Sequence, residues 1–326
     1  MPNHTTVSVA MCTYNGAKFI REQLDSIAAQ TTLPDELVIC DDRSTDATTE
    51  IIRDFAATAP FPVHLHVNEE NLGSQSKGIT HNFEKAVALC TGELLMLCDQ
   101  DDLWLPEKLT RMAQVLRDDA GIGAVFCDAQ LITEAGAPKG TLLSEANGLS
   151  PRLQQELARG NGLAIALNPT KAYGCTLMLR ASLRDRIMPV PPHWWFDAWV
   201  TCGAVVYSKL AFLPETLMHY RIHAAQFGGA AAPNLSQRIE SWRSSAEAYW
   251  LKAGPQLSDV HARLQGEADP RFRVTVAFLE GRMDLLRFRA GMPANRLVRW
   301  AAILPHTAAY FRYFNGWRSL AKDLTS

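Results

Sequence analysis

Glu93-Leu94-Leu95-Met96-Leu97-Cys98-Asp99-Gln100-Asp101-Asp102-Leu103-Trp104 is the stretch that decides how this chain folds. The apolar run up to Cys98 has the length and character of a strand covered on both faces, as in a parallel sheet. Three carboxylates then fall within four residues. Placed together they repel one another unless a cation or solvent relieves them. Mg²⁺ and Mn²⁺ prefer oxygen ligands and share them with substrate phosphates, so an acidic strand exit suits such an ion. Taken alone, the four residues also read as an acidic turn whose Asp101 or Asp102 caps the next helix. The strand before them and the elements upstream favour the metal.

Upstream, strand and helix alternate at short spacing. Val7–Cys12 and Glu36–Asp41 (ELVICD) read as buried strands, and Val63–Val67 as an exposed edge. Ala17–Gln30 places Phe19, Ile20, Leu24 and Ile27 at helical intervals. Ser44-Thr45-Asp46 supplies capping chemistry for a helix through Ala57, and Ser76–Cys90 reads as a third helix. This β-α-β-α-β-α-β order predicts an α/β fold with a mostly parallel sheet and helices on both faces. Ligands of such sheets sit at the carboxyl ends of the strands. Those ends carry Thr13-Tyr14-Asn15-Gly16, Asp41-Asp42-Arg43-Ser44, the segment from Asn68 to Gly73, and the acidic run at Asp99. No GxGxxG follows a strand and no Walker A pattern is present, so the carboxylates stand where a glycine cradle would be. A nucleoside diphosphate held through a metal is the chemistry this implies.

The chain has 326 residues, 47% hydrophobic and 20% charged, enough for a large core. Its formal net charge of −2 removes the simplest argument for nucleic acid as partner. Seven cysteines form no CxxC pair and sit mostly in apolar runs, which suits a reducing cytoplasm. No apolar run reaches the roughly 18 residues of a membrane span, and no signal-peptide pattern opens the chain.

Beyond Asp102, a helix is expected from Leu103–Pro106 to Arg117, then a strand at Gly123–Cys127 and a loop with a short helix over 134–160. Thr176–Leu179 and Val205–Leu213 read as strand or helix. From about Pro233 the chain reads as helical, with Trp242, Tyr249, Trp250 and Leu251 as an inner face. Residues 271–326 hold ten Lys/Arg against three acids, a net of +7, interleaved with Trp300, Phe311, Tyr313, Phe314 and Trp317. A basic aromatic tail of this kind either lies on an anionic membrane surface or packs on its own domain or in a dimer.

The motifs together resemble a family 2 glycosyltransferase of GT-A fold, near its bacterial rhamnosyltransferase-like branch. The carriers are Val7-Ser8-Val9-Ala10-Met11-Cys12-Thr13-Tyr14-Asn15-Gly16, Leu24-Asp25-Ser26-Ile27, Asp41-Asp42-Arg43-Ser44-Thr45-Asp46, Asn71-Leu72-Gly73, Asn82-Phe83 and the DQDDLW run at 99–104. Their order over residues 7–116 is that of the family. The resemblance implies a GT-A domain over 1–230, with a nucleotide-binding half at about 1–116 and an acceptor-side half at about 117–230. A helical extension would cover 231–326.

It also implies roles. Thr13, Tyr14 and Asn15 would line the nucleotide, Asp42 would contact the base with Asp41 beside it, and Lys77 would offer a basic donor contact. Asp99 would face ribose or metal; Asp101, supported by Asp102, would hold Mg²⁺ or Mn²⁺. Gly174-Cys175-Thr176 resembles the segment beneath the donor sugar, or else is an ordinary strand start. Asp197, in Pro192-His193-Trp194-Trp195-Phe196-Asp197-Ala198-Trp199, resembles the family's base, with Phe196 where some relatives have His. Its aromatic walls would raise the carboxyl pKa by desolvation; the simpler reading is a helix N-cap. His219-Tyr220-Arg221-Ile222-His223 resembles a late element in which His223 ligates the metal and Arg221 pairs with phosphate. Phe227-Gly228-Gly229 reads as a loop closing over the donor.

The expected activity is an inverting, metal-dependent transfer from a dTDP- or UDP-sugar, rhamnose first, to a glycan or lipid-linked acceptor of a bacterial surface. A sugar-nucleotide pyrophosphorylase would need a glycine-rich loop that Thr13–Gly16 does not supply. A non-catalytic sugar-binding module on the same fold is the other alternative.

Overall fold

The computed structural model describes residues 5–73, 76–167, 171–224, 226, 246–267, 269–293, 295–314 and 316–325. The chain forms two compact units, residues 1–231 and 232–326.

The first unit is built on one nine-stranded sheet. β1 (Val7–Thr13), β2 (Glu36–Asp41), β3 (Val63–Val67) and β4 (Leu94–Cys98) run parallel in the order β3-β2-β1-β4, with α1 (Ile20–Ala28), α2 (Thr48–Ala56) and α3 (Ser76–Leu89) as crossovers. Each crossover helix turns isoleucine, leucine or phenylalanine inward: Ile20, Leu24 and Ile27, then Ile52 and Phe55, then Phe83 and Val87. β1, β2 and β4 are mainly apolar and buried along most of their length, whereas the β3 sequence alternates as an edge must. The register sets Thr13 beside Asp41 and Met11 beside Cys98. The polar exits of β1, β2 and β4 are therefore brought to one edge.

The other half of the sheet is mixed. β5 (Leu103–Trp104), α4 (Lys108–Asp118), β6 (Ile122–Thr133), β7 (Pro138–Leu142), α5 (Leu143–Ala146), α6 (Pro151–Ala158), α7 (Leu163–Ala166), β8 (Leu177–Arg180), α8 (Ala181–Ile187), α9 (Phe196–Tyr207) and β9 (Lys209–Ile222) follow in the chain. β8 inserts antiparallel between β4 and β6; β6 and β9 pair in parallel, and β9 carries β5 on its outer side.

Three expectations change. Leu103-Trp104 is a strand and not the opening of a helix, because it pairs with Met218 and His219 and Leu105 N–H donates to Leu217 O. β6 is longer than Gly123–Cys127 because it is flanked on both edges, by β8 and β7 on one side and by β9 along most of its length. The segment 134–160 is largely ordered as β7, α5 and α6, and Val205–Leu213 is divided at Ser208 into the end of α9 and the start of β9. At α2, Asp46 accepts from Thr48 N–H at 3.0 Å, but the helix begins at Thr48 and its N-cap position is Ala47, so the expected cap from Ser44–Asp46 falls short of that position.

The second unit is helical, over Ala246–Gln265, Arg271–Ala290, Arg296–Ile303, Thr307–Tyr313 and Trp317–Thr325. A buried carboxylate anchors it: Asp323 accepts from Arg289 Nε at 2.5 Å and Nη2 at 2.9 Å and from the Tyr310 hydroxyl at 2.6 Å. Trp242 lies outside the described residues, as do the side chains of Tyr249, Trp250 and Leu251. Among the described residues no helix is long and apolar enough to cross a membrane.

Candidate active site

The exits of β1 and β2 are locked to each other by short polar side chains. Asp41 is fully buried; it accepts from Thr13 Oγ1 at 2.7 Å and from both the N–H and the hydroxyl of Ser44. Asn15 and Arg43 adopt left-handed backbone, with φ of 47° and 61°. Asparagine tolerates that region because its side chain can bond locally. Here Asn15 Oδ1 accepts from Thr45 N–H at 2.8 Å. Asp42 organises the next segment: its Oδ1 accepts from Leu72 N–H at 2.7 Å and Asn68 Nδ2 at 3.1 Å, and its carbonyl accepts from Asn71 Nδ2. Of the residues expected at the nucleotide, Thr13, Asn15 and Asp41 therefore shape the loops. The Tyr14 ring stands exposed over them.

At the exit of β4 the carboxylates gather. Asp99 is half-buried and its pKa is pushed up to about 7, by burial first and then by Asp101 and Asp197. Asp102 is completely buried and its pKa is also raised well above the ordinary carboxylate value, by burial first and then by Asp101 and Asp99. Its Oδ1 accepts from Arg221 N–H at 3.0 Å, while Oδ2 is buried without a hydrogen bond of ordinary geometry. Ligand atoms of Asp99, Asp102 and Cys175 all lie within 4.8 Å of one another. A buried, partnerless carboxylate oxygen is costly unless something electropositive completes it. The oxygen donors fit a hard divalent cation; burial holds the Cys175 thiol well above its ordinary pKa, which makes sulfur the poorer ligand. Asp101 Oδ2 meets His223 Nε2 at 2.9 Å, and the imidazole also lies against the Phe19 ring.

Arg221 departs from expectation. Its Nε donates to the Asp101 carbonyl, Nη1 to the Glu134 carbonyl and Nη2 to the Glu22 carboxylate at 2.6 Å, and the guanidinium covers Phe19. It is almost fully buried in this role. The side chain braces the acidic loop from behind instead of presenting its fork to a phosphate. Lys77 lies exposed in the first turn of α3, and no contact among the described residues links it to the carboxylates. His219 is half-buried on β9 opposite Leu103. Phe227-Gly228-Gly229 lies outside the described residues.

The opposite wall comes from the chain around β8. Gly174–Thr176 forms a single tight turn in which Thr176 Oγ1 donates to Tyr173 O at 2.7 Å. Gly174 faces Asp197 at ordinary contact distance: a Cβ there would stand 3.8 Å from the Asp197 Cβ. Asp197 lies in the first turn of α9; the neighbouring Trp194 and Trp199 are buried and pack edge to face with each other. Burial raises its pKa to about 6, opposed by the N–H groups of Ala198 and Gly174. A helix N-terminus favours the carboxylate, so desolvation is the winning effect. Asp197 is also near enough to Asp99 to raise it.

Lys108 escaped the sequence reading. Its ammonium is fully buried, donates to Cys175 O at 2.6 Å, touches Met218 Sδ and lies 4.4 Å from the Trp104 ring centre. Its charge pulls Asp99 back down, less than burial raises it. The signal was present: Lys108, Met112 and Leu116 follow one helical face, so a lysine sits on an apolar stripe.

The chain resembles known proteins in sequence and in fold. The sequence model of glycosyl transferase family 2 matches residues 8–185. An uncharacterized protein of Mycobacterium tuberculosis is 30% identical over 267 residues, covering 80% of this chain and 71% of its own. An uncharacterized glycosyltransferase of Nostoc sp. is 28% identical over 238 residues, 71% of this chain and 69% of its own. Among solved structures, S. aureus TarS in complex with UDP-GlcNAc superimposes with a TM-score of 0.59 at 16% identity, over 98% of this chain and 88% of that one. The mannosyltransferase PcManGT of Pyrobaculum calidifontis, in complex with GDP-Man and Mn²⁺, gives 0.54 at 22% identity, over 98% and 79%. The chain belongs to glycosyl transferase family 2. It is a nucleotide-sugar-dependent glycosyltransferase with the GT-A fold.

Proposed function

We propose that this enzyme inverts the anomeric centre of its donor sugar, with Asp197 as general base. The carrying observation is the placing of Asp197: a desolvated carboxyl poised near pH 6, across the Gly174 turn from the acidic exit of β4. The acceptor hydroxyl oxygen attacks the anomeric carbon, its proton passes to the Asp197 carboxylate, and the bond to the nucleoside diphosphate breaks on the far side. Burial keeps the base in a poorly hydrated place where its proton affinity suits the task.

Asp101, Asp102 and His223, with Asp99 beside them, would hold Mg²⁺ or Mn²⁺. Such an ion, when bound, supplies electrophilic stabilisation of the departing diphosphate. Tyr14 and Asp42 face the base, Thr13, Asn15 and Asp41 keep that floor in shape, and Gly174, Cys175 and Thr176 lie under the sugar. Lys77 is assigned to the diphosphate side. That TarS and PcManGT were solved with nucleotide sugars, the latter with Mn²⁺, supports this reading. On the motif resemblance, dTDP-rhamnose is the first donor to test and UDP-hexoses follow, with a surface glycan or glycolipid as acceptor. The buried free thiols favour a cytoplasmic setting.

Calorimetric titration of UDP and dTDP, with and without Mn²⁺, tests the site. Metal-dependent binding of one nucleotide, lost in Asp101→Asn, is the expected result. Binding of neither nucleotide at any metal concentration overturns it.

A further inference from the structure

The second unit leaves an unusual set of side chains in solvent. On the helix Arg296–Ile303 and just past its end, Leu297, Trp300 and Leu304 are 82%, 53% and 69% exposed. Their spacing of three and four residues places them in one stripe along the helix. The opposite side of the same helix is satisfied internally: Ile303 is buried, and Arg299 donates to the carbonyls of Pro293 and Asp323. Phe311 and Trp317 form a second exposed pair, packed edge to face with ring centres 5.1 Å apart. Isolated exposed apolar residues are ordinary; six large ones within 21 positions, Val298 included, are not.

The charges around them are one-sided. From Leu285 to Lys322 the chain carries seven Lys/Arg and no Asp or Glu. The next carboxylate, Asp323, is buried and held by Arg289 and Tyr310. The two acids before the stretch are also engaged, Asp284 with Arg287 and Glu280 with His261. Two of the seven cations, Arg287 and Arg289, are answered by those carboxylates, while Arg312 stands exposed next to Phe311. Leucine and tryptophan edged by arginine match the layered chemistry of a bilayer surface, where indole sits at headgroup depth and cations meet anionic lipid. An eight-residue helix lies in that interface; it does not cross it.

We propose that the exposed stripe of Leu297, Trp300 and Leu304, together with the exposed Phe311–Trp317 pair, docks on an anionic phospholipid surface. The surface itself requires nothing of the sugar chemistry. Its purpose, bringing the enzyme to lipid-borne acceptors, rests on the transferase reading, and nucleotide binding in solution tests that reading separately.

The test is co-sedimentation of the full chain with vesicles of phosphatidylcholine alone or mixed equally with phosphatidylglycerol. Binding is expected to the mixed vesicles and to weaken with salt, as a surface-charge attraction must. Leu297→Ser with Trp300→Ser is expected to cut partitioning about tenfold or more at unchanged melting temperature, since both side chains are exposed. Arg312→Glu, an exposed charge reversal, is expected to weaken it also. Absence of a preference for the anionic vesicles overturns the proposal, as does binding that ignores these substitutions. A dimer in light scattering that the serine variants dissociate, without vesicle binding, assigns the face to a second copy instead.

Discussion

Gln100 completes a pair of hydrogen bonds on the main chain of Tyr14. Its Nε2 donates to the Tyr14 carbonyl at 3.0 Å, and the Tyr14 N–H donates to its Oε1 at 2.9 Å. One amide side chain thus ties the loop after β1 to the loop after β4. Gly16 permits it, since a Cβ there would stand 2.2 Å from Gln100 Oε1.

Gly16→Ala is therefore expected to push Gln100 off Tyr14 at a cost of about 1–2 kcal/mol, two ordinary hydrogen bonds. Gln100→Ala should lose a similar amount. The two changes together should cost little more than either alone, because both remove one interaction. Chemical denaturation of the three variants checks this. Full additivity would show that Gly16 serves another contact.

Asp197→Asn is expected to lower kcat by roughly 10²–10⁴-fold with nucleotide affinity kept, as for loss of a general base. In the unaltered enzyme, kcat/KM should rise with pH through an apparent pKa near 6, and this limb should vanish in the variant. Stability responds in the opposite sense. The folded pKa lies above that of an unfolded aspartate, so ionisation favours the unfolded chain as pH rises from about 4 to 6. The Asn variant should escape that loss, melting higher than the parent at pH 8 and equally near pH 3. Melting curves at the two pH values decide it.

His223→Ala removes the partner of Asp101 Oδ2 and a ring packed on Phe19. About a 10–100-fold weaker Mn²⁺ dependence of activity is expected, the usual effect of losing a group that ligates or orients a ligand. The measure is initial rate against Mn²⁺ concentration. An unchanged midpoint would leave His223 a structural cap on the acidic loop.

Lys108→Met keeps the apolar stem and deletes a fully buried ammonium whose charge reaches Asp99. Removing one partner of a buried charge cluster destabilises by about 3–5 kcal/mol. Lys108→Arg should not rescue it, because a planar fork cannot take the single position between Cys175 O and the Trp104 ring. Urea unfolding of both variants gives the answer.

The first half of the sheet was legible because its inner strands are mainly apolar runs with polar exits and its edge strand alternates. Glu36–Asp41 and Val63–Val67 fall where the pattern puts them. Legibility failed where tertiary pairing overrides local character. Leu103-Trp104 could not announce a strand, since its partner lies more than a hundred residues away on β9. The acidic cluster was visible as a motif; its wiring was not. That Arg221 reaches Glu22 and Glu134 depends on α1 and the end of β6 meeting behind the loop, which no local pattern encodes.

β8 has a consequence of its own. Its four residues, running against both neighbours, are stitched to β4 on one side and β6 on the other. Everything that would read the nucleotide is encoded before this strand, and Asp197 after it. Such a seam lets the two specificities drift separately in evolution. It also marks where segments from two relatives can be exchanged, to breed one enzyme's donor onto another's acceptor.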